Sequence, residues 1–258
     1  MQYETITYSE TNGLGVITLN RPEVMNALST QMRAELTHAV KEAGKTARAL
    51  VLTGAGCAFC SGQDLGDRAK VANIDLERTL RDEYEPLLRA IYDSPIPTVS
   101  AVNGPAAGAG ANLALAADVV IASQSASFIQ AFTRIGLIPD AGGTYWLPRQ
   151  IGAARAMGAA LFADKIGADQ AAAWGMIYEA IPDADFAAHW QARAAHLANG
   201  PTAAYKAVKT AIRASHGNTL DQQLTLEAQL QGACGQTHDF KEGVIAFLEK
   251  RPPQFEGR

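Results

Sequence analysis

The chain has 258 residues, of which 48% are hydrophobic and 19% charged, and a formal net charge of −4. This suits one large globular domain, or a main domain with a small appendage, and gives no sequence-wide basic field to attract nucleic acid or anionic lipid. The start, Met1-Gln2-Tyr3-Glu4-Thr5, lacks the basic and apolar regions of a secretory signal, and no stretch reaches the ~18 apolar residues that span a bilayer, so the expected compartment is the cytoplasm.

In chain order, Thr5-Ile6-Thr7-Tyr8 and Gly15-Val16-Ile17-Thr18-Leu19 read as two strands joined by the turn signal Asn12-Gly13. A helix is predicted from Thr30 to Ala43, with Ser29 as N-cap, an apolar stripe of Met32, Leu36, Ala39, Val40 and Ala43, and Gly44 as its stop. Ala49 to Thr53 is a short apolar strand of the kind buried on both faces. Leu76 to Ser94 reads as an amphipathic helix, Thr98 to Val102 as a strand, Ala111 to Ala117 as a helix of small residues, and Val119 to Ala122 as a strand. This alternation predicts an α/β architecture with right-handed crossovers. From about Ala153 the chain is expected to be mostly helical, with a boundary at Asn199-Gly200-Pro201. Helices are expected over Leu220 to Gln231 and Asp239 to Lys250. The second carries Phe240, Val244, Phe247 and Leu248 on one side, to pack on its own core or on a neighbouring subunit.

Cys57-Ala58-Phe59-Cys60 has the two-residue gap of redox and zinc motifs, but no second pair follows and no histidine lies near it, so it is read as small residues in a buried turn and no metal is expected. Two glycine-rich segments follow strands. Gly54 to Leu65 includes Phe59-Cys60-Ser61-Gly62-Gln63-Asp64-Leu65, and Asn103 to Asn112 includes Gly104-Pro105-Ala106-Ala107-Gly108-Ala109-Gly110. Each reads either as a tight turn or as a place where backbone N–H groups face a ligand. The second also opens a helix, whose N-terminus suits an oxygen that becomes negative.

These two segments resemble the oxyanion-hole segments of the crotonase (enoyl-CoA hydratase/isomerase) family. The resemblance continues through Asn20-Arg21-Pro22-Glu23, Gly142-Gly143-Thr144, Trp174-Gly175-Met176-Ile177 and the terminal Phe247 to Phe255. It implies a crotonase-like spiral of ββα units over residues 1–198, a C-terminal helical region at 199–258 used in assembly of a homotrimer or homohexamer, and an acyl-CoA thioester as substrate. No cofactor beyond the coenzyme A of the substrate is implied. Carried over by position, the backbone N–H groups of Gln63 and Ala109 hold the thioester oxygen. Substrate contacts are implied at Arg21, Leu28, Ala58, Phe59, Gly62, Asp64 and Leu65, and again at Gly108, Gly110, Phe132, Pro139, Gly142 and Lys250. Arg68 and Arg251 join Arg21 and Lys250 as candidates for the CoA phosphates, although Asp67-Arg68 also reads as a solvated pair.

Hydratases of the family use two glutamates, and at those positions this chain has Asn112 and Phe132, neither of which transfers a proton at the required step. A carboxylate stands instead at Asp140, in Gly136-Leu137-Ile138-Pro139-Asp140-Ala141-Gly142-Gly143-Thr144. Taken alone, an aspartate before small residues and a helix reads as an N-cap. In the family register it is where several isomerases and a dehalogenase place an aspartate, and apolar neighbours such as Phe132, Ile138 and Trp146 are expected to raise its pKa if they face it. The run Ala131 to Asp140 is similar to isomerases of bacterial phenylacetate breakdown. That implies conversion of 2-(1,2-epoxy-1,2-dihydrophenyl)acetyl-CoA to oxepin-CoA, with Δ3-to-Δ2 enoyl-CoA isomerisation as a related activity. A hydratase and a non-catalytic acyl-CoA-binding protein are the alternatives. Tyr84, Tyr92 and Tyr145 are expected either to line an aromatic acyl pocket or to fill the core.

Overall fold

The computed structural model describes residues 2–65 and 75–258. Strands β1 (Ile6–Thr11) and β2 (Leu14–Leu19) form an antiparallel hairpin. Its turn places Asn12 and Gly13 at φ 53° and 74°, the left-handed pair that an Asn-Gly turn supplies at little cost. Helix α1 (Thr30–Thr46) starts as the sequence predicts, with the Met32 N–H donating to Ser29 Oγ at 3.1 Å. It does not stop at Gly44. The helix runs one turn further and ends where the Ala47 N–H donates to the Ala43 carbonyl. A Cβ at Gly44 would lie 3.2 Å from the Pro95 ring, so this glycine serves close packing.

Strand β3 (Ala49–Gly54) precedes the predicted long helix, which is present as three stretches. These are α2 (Leu76–Thr79), a wide π-helical turn over Leu80–Tyr84, and α3 (Glu85–Tyr92). The chain continues through β4 (Thr98–Val102), β5 (Ala106–Ala107), α4 (Ala109–Leu115), β6 (Val119–Ser123) and β7 (Ser127–Ile129). Then come α5 (Gly143–Phe162), kinked at Gly152, β8 (Ile166–Gly167), α6 (Ala168–Trp174), β9 (Glu179–Ile181) and α7 (Asp183–Ala198). Helices α8 (Thr202–Ala214), α9 (Leu220–Cys234) and α10 (His238–Glu249) complete it.

The main sheet has the order β1-β2-β3-β4-β6-β9 and is parallel from β2 onward, and a second sheet has the order β5-β7-β8. Strand β3 shows why its sequence is continuously apolar. Leu50 and Leu52 point into the core under α1, whereas Val51 points to the opposite face with Val99, Ile121 and Phe186. Both glycine-rich turns leave the same ends of neighbouring parallel strands, which brings distant stretches of chain together. On α10, Phe240, Phe247 and Leu248 are exposed. No helix among the described residues is long and apolar enough to cross a membrane.

The Ser29 cap carries a direct test. Ser29→Ala is expected to lower the unfolding free energy by about 1 kcal/mol in urea denaturation, because one N-terminal donor of α1 loses its acceptor.

Candidate active site

Single-residue bridges set the turn after β3 in place. Cys60 pairs with Ala106, with the Ala107 N–H donating to the Cys60 carbonyl at 2.9 Å. Three residues on, Leu28 pairs with Gln63. The Leu28 N–H donates to the Gly62 carbonyl at 2.8 Å, and the Asp64 N–H donates to the Leu28 carbonyl at 3.3 Å. Because the residues on either side of Gln63 turn their groups toward Leu28, the Gln63 N–H faces the opposite edge. It has no partner among the described residues, and neither does the N–H of Ala109, the first residue of α4. The two turns touch here. A Cβ on Gly62 (φ +96°) would fall 2.8 Å from the Ala107 carbonyl oxygen and 3.5 Å from the Ala109 nitrogen.

Both donors line a cavity of about 310 Å³, bounded among the described residues by Leu65, Tyr84, Phe132 and Asp140 as well. A second cavity of about 580 Å³ adjoins it, since Leu80, Tyr84 and Asp140 line both. Tyr84, Tyr92, Tyr145 and Trp146 form an aromatic part of its wall. The Tyr145 and Trp146 rings meet edge to face at 4.8 Å between centroids, Tyr92 lies 5.3 Å from Trp146, and the Arg213 guanidinium stacks 3.7 Å from the Tyr92 centroid. Of the two readings of the tyrosines, Tyr92 and Tyr145 take the cavity wall, whereas Tyr84 both lines the cavities and is buried in the core.

Asp140 occupies the junction of these cavities, and its side chain caps no helix: the N-cap of α5 is Gly142, without a side-chain cap bond. Asp140 Oδ1 is buried with no hydrogen-bond partner among the described residues. Burial pushes the carboxyl up to about 6 from 3.8, opposed only by its own backbone N–H. Phe132, buried in the first cavity, belongs to that apolar surround, as does Trp146 in the second. Ile138 lines the second cavity but is 77% exposed, so it desolvates less than the sequence suggests.

The Gln63 side chain is held from beneath. Its Oε1 accepts from Tyr84 OH at 2.5 Å and from Arg33 Nη1 at 2.9 Å. Arg33 is fully buried and ion-pairs with Glu83, and its Nη1 also donates to the Leu28 carbonyl at 2.6 Å. One cation thus ties α1, the Gln63 turn and the π-helical turn together. Burial keeps the Tyr84 hydroxyl well above its usual pKa, so it remains a neutral donor. Sequence reasoning missed Arg33. The available signal was its position on α1, three residues before Leu36 and seven before Val40, in register with the apolar stripe.

The other predicted residues divide by place. Gly62, Leu65, Gly108 and Phe132 line the first cavity, and Pro139 and Gly142 the second. Leu28 and Phe59 are completely buried in the core and line neither cavity. Ala58 gives its carbonyl to Asn26 Nδ2, and Gly110 packs where a Cβ would lie 2.4 Å from the Cys60 oxygen. Arg21 and Asp64 form an ion pair at 2.7 Å. Lys250 caps α10 and lines neither cavity, and Arg251 is bound by Glu242 and Glu249. Asp67 and Arg68 lie outside the described residues.

Residues 9–258 match the family described as enoyl-CoA hydratase/isomerase, and the chain belongs to that family. Among its relatives is a Rhodobacter capsulatus protein named "Probable enoyl-CoA hydratase", 67% identical with both chains fully covered. Another is the 1,2-epoxyphenylacetyl-CoA isomerase of Escherichia coli, 47% identical over 95% of this chain and 96% of that one. Among solved structures, an enoyl-CoA hydratase from Bacillus anthracis superposes with a TM-score of 0.91 at 32% identity, covering 99% of this chain and all of the other. The fold is thus the crotonase α/β fold, and the protein is an enzyme of this acyl-CoA family.

Two outcomes test the geometry. The folded-state pKa of Asp140 is raised, so its contribution to stability is full below about pH 3.8 and is lost as pH rises through about 6. The pH profile of unfolding free energy should show this loss in the wild type and not in Asp140→Asn. Arg33→Met should destabilise the fold by about 2 kcal/mol in urea denaturation, because it leaves Glu83 without its ion pair and removes one of the two donors to the Leu28 carbonyl.

Proposed function

We propose that the protein is an acyl-CoA isomerase working through a thioester enolate, with Asp140 as its base. The observation that carries this reading is the Asp140 carboxylate oxygen, buried in a cavity that the Gln63 and Ala109 N–H groups also line, all three without a partner among the described residues. In the proposed reaction the Gln63 and Ala109 N–H groups donate to the thioester oxygen. The C2–H bond breaks, its proton moves to Asp140, and the electron pair is held as the enolate. In a 3-enoyl-CoA the pair forms the C2=C3 bond while the C3=C4 π pair takes the proton back from Asp140 at C4. In the ring epoxide the C–C bond shared by the two rings opens to the seven-membered oxepin, the enolate pair forms the double bond from C2 to the ring, and Asp140 returns the proton to a ring carbon. The mass is unchanged in either case. One base suffices, and no separate acid or cofactor is called for beyond the coenzyme A of the substrate.

Two features favour 2-(1,2-epoxy-1,2-dihydrophenyl)acetyl-CoA, converted to oxepin-CoA, over a linear acyl group alone. They are the four aromatic residues in the wall of the second cavity and the relative named 1,2-epoxyphenylacetyl-CoA isomerase. Δ3-to-Δ2 enoyl-CoA isomerisation uses the same first step. The relative named a probable enoyl-CoA hydratase supports water addition as the second reading. Against it, Asn112 and Phe132 occupy the positions where hydratases of the resemblance carry glutamates. Residues 199–258 are proposed to form the assembly region, with the exposed Phe240, Phe247 and Leu248 covered by another copy in a homotrimer or homohexamer.

Mass spectrometry of products from the ring epoxide and from a 3-enoyl-CoA distinguishes the readings. Isomerisation leaves the mass unchanged, and hydration adds one water. Asp140→Asn is expected to lower kcat by roughly 10³-fold, and wild-type kcat/KM should fall as pH drops below about 6. Full isomerase turnover by Asp140→Asn would sink the assignment of the base.

A further inference from the structure

Asn112 lies completely buried in α4, and its amide joins two segments. Its Nδ2 donates to the Asp140 carbonyl at 2.7 Å, and its Oδ1 accepts from Gln130 Nε2 at 2.8 Å. The direction of this chain is determined by chemistry. A backbone carbonyl can only accept, so the Asn112 NH2 must face Asp140. Its oxygen then faces Gln130, which must present its own NH2. Gln130 is also buried, and its Oε1 is left without a partner. An apolar residue would fill that space without the unsatisfied oxygen, so packing alone does not account for a glutamine there.

The Asp140 carbonyl accepts a second hydrogen bond, from the Gly143 N–H at 2.8 Å. A Cβ on Gly143 would lie 2.4 Å from Asn112 Nδ2, so the turn approaches Asn112 as closely as glycine allows. Between them Ala141 is held at φ +47°, a left-handed conformation that alanine adopts only when its surroundings impose it. The backbone of Asp140 is therefore gripped from two sides while its Oδ1 is left free.

We propose that Asn112 and Gln130 form an amide clamp that sets the position of the Asp140 carboxylate against the reacting carbon, and that both are positioning residues for the proton transfer. This rests on the reading of Asp140 as the base. An ionised carboxylate at position 112 offers no donor to a carbonyl, so this clamp and a water-activating glutamate at the same position exclude each other.

The test compares Asn112→Leu, Gln130→Met and Asp140→Asn in the full-length protein. Asn112→Leu is expected to lower isomerase kcat by roughly 10- to 100-fold with KM within about twofold of wild type, since a displaced base costs rate more than binding. Gln130→Met, acting through Asn112, should cost about 3- to 10-fold on the same measurements. Deuterium exchange at the backbone amides of residues 136–146 should accelerate in both variants. If Asn112→Leu does not fold, Gln130→Met carries the same comparison. Wild-type kcat and wild-type local exchange in the folded variants, beside an inactive Asp140→Asn, would overturn the clamp and leave the base intact. Turnover surviving in Asp140→Asn would overturn the base reading instead.

Discussion

Gly62 has no side chain where the turn after β3 lies against the turn into α4 beside the Gln63 and Ala109 donors, and the candidate site depends on that contact. A Cβ there would meet the Ala107 carbonyl at 2.8 Å. The two turns would separate, and the Gln63 and Ala109 N–H groups would no longer line one cavity. Parallel strands β3 and β4 bring the turns side by side, and the Cys60–Ala106 bridge continues the pairing past the sheet. Among the described residues both donors are unpartnered, Gln63 because its neighbours' groups pair with Leu28 and its own N–H faces the other way, Ala109 because it opens α4.

Around that contact the site is assembled from opposed environments. On one side the Gln63 and Ala109 N–H groups present oriented backbone dipoles, which favour negative charge. The Asp140 side is apolar, which disfavours charge and raises the carboxyl toward about 6. In the proposed reaction these would narrow the gap in acidity between a thioester α-carbon and a carboxylate from both ends. Tyr84 lies where the two sides meet. It lines both cavities and donates to the Gln63 side chain, which Arg33 also holds.

Local signals account well for the elements whose cause is local. Asn12-Gly13 forms the hairpin turn it predicts, and Ser29 caps α1 as its place before an apolar stripe implies. Signals failed where packing overrode propensity. Gly44 reads as a helix stop, yet α1 continues through it because the missing Cβ accommodates Pro95. Leu76 to Ser94 reads as one regular helix, whereas its middle widens into a π-helical turn at Leu80–Tyr84, where Glu83 and Tyr84 meet Arg33. Asp140 was ambiguous for the same reason: an N-cap and a buried free carboxylate share one local sequence, and the placement of its side chain separates them.

By itself the sequence determined the alternation of strands and helices, the two glycine-rich turns, and the residue types available for chemistry, including the absence of an acid at positions 112 and 132. These follow from hydrophobic period, turn preference and side-chain chemistry, which are properties of short windows. Tertiary structure decided the rest. It placed Asp140 between two cavities, turned Asn112 toward its carbonyl, and brought Arg33 beneath Gln63. Burial and hydrogen-bond partnership are set by residues tens of positions apart, and a window of local sequence does not contain both partners.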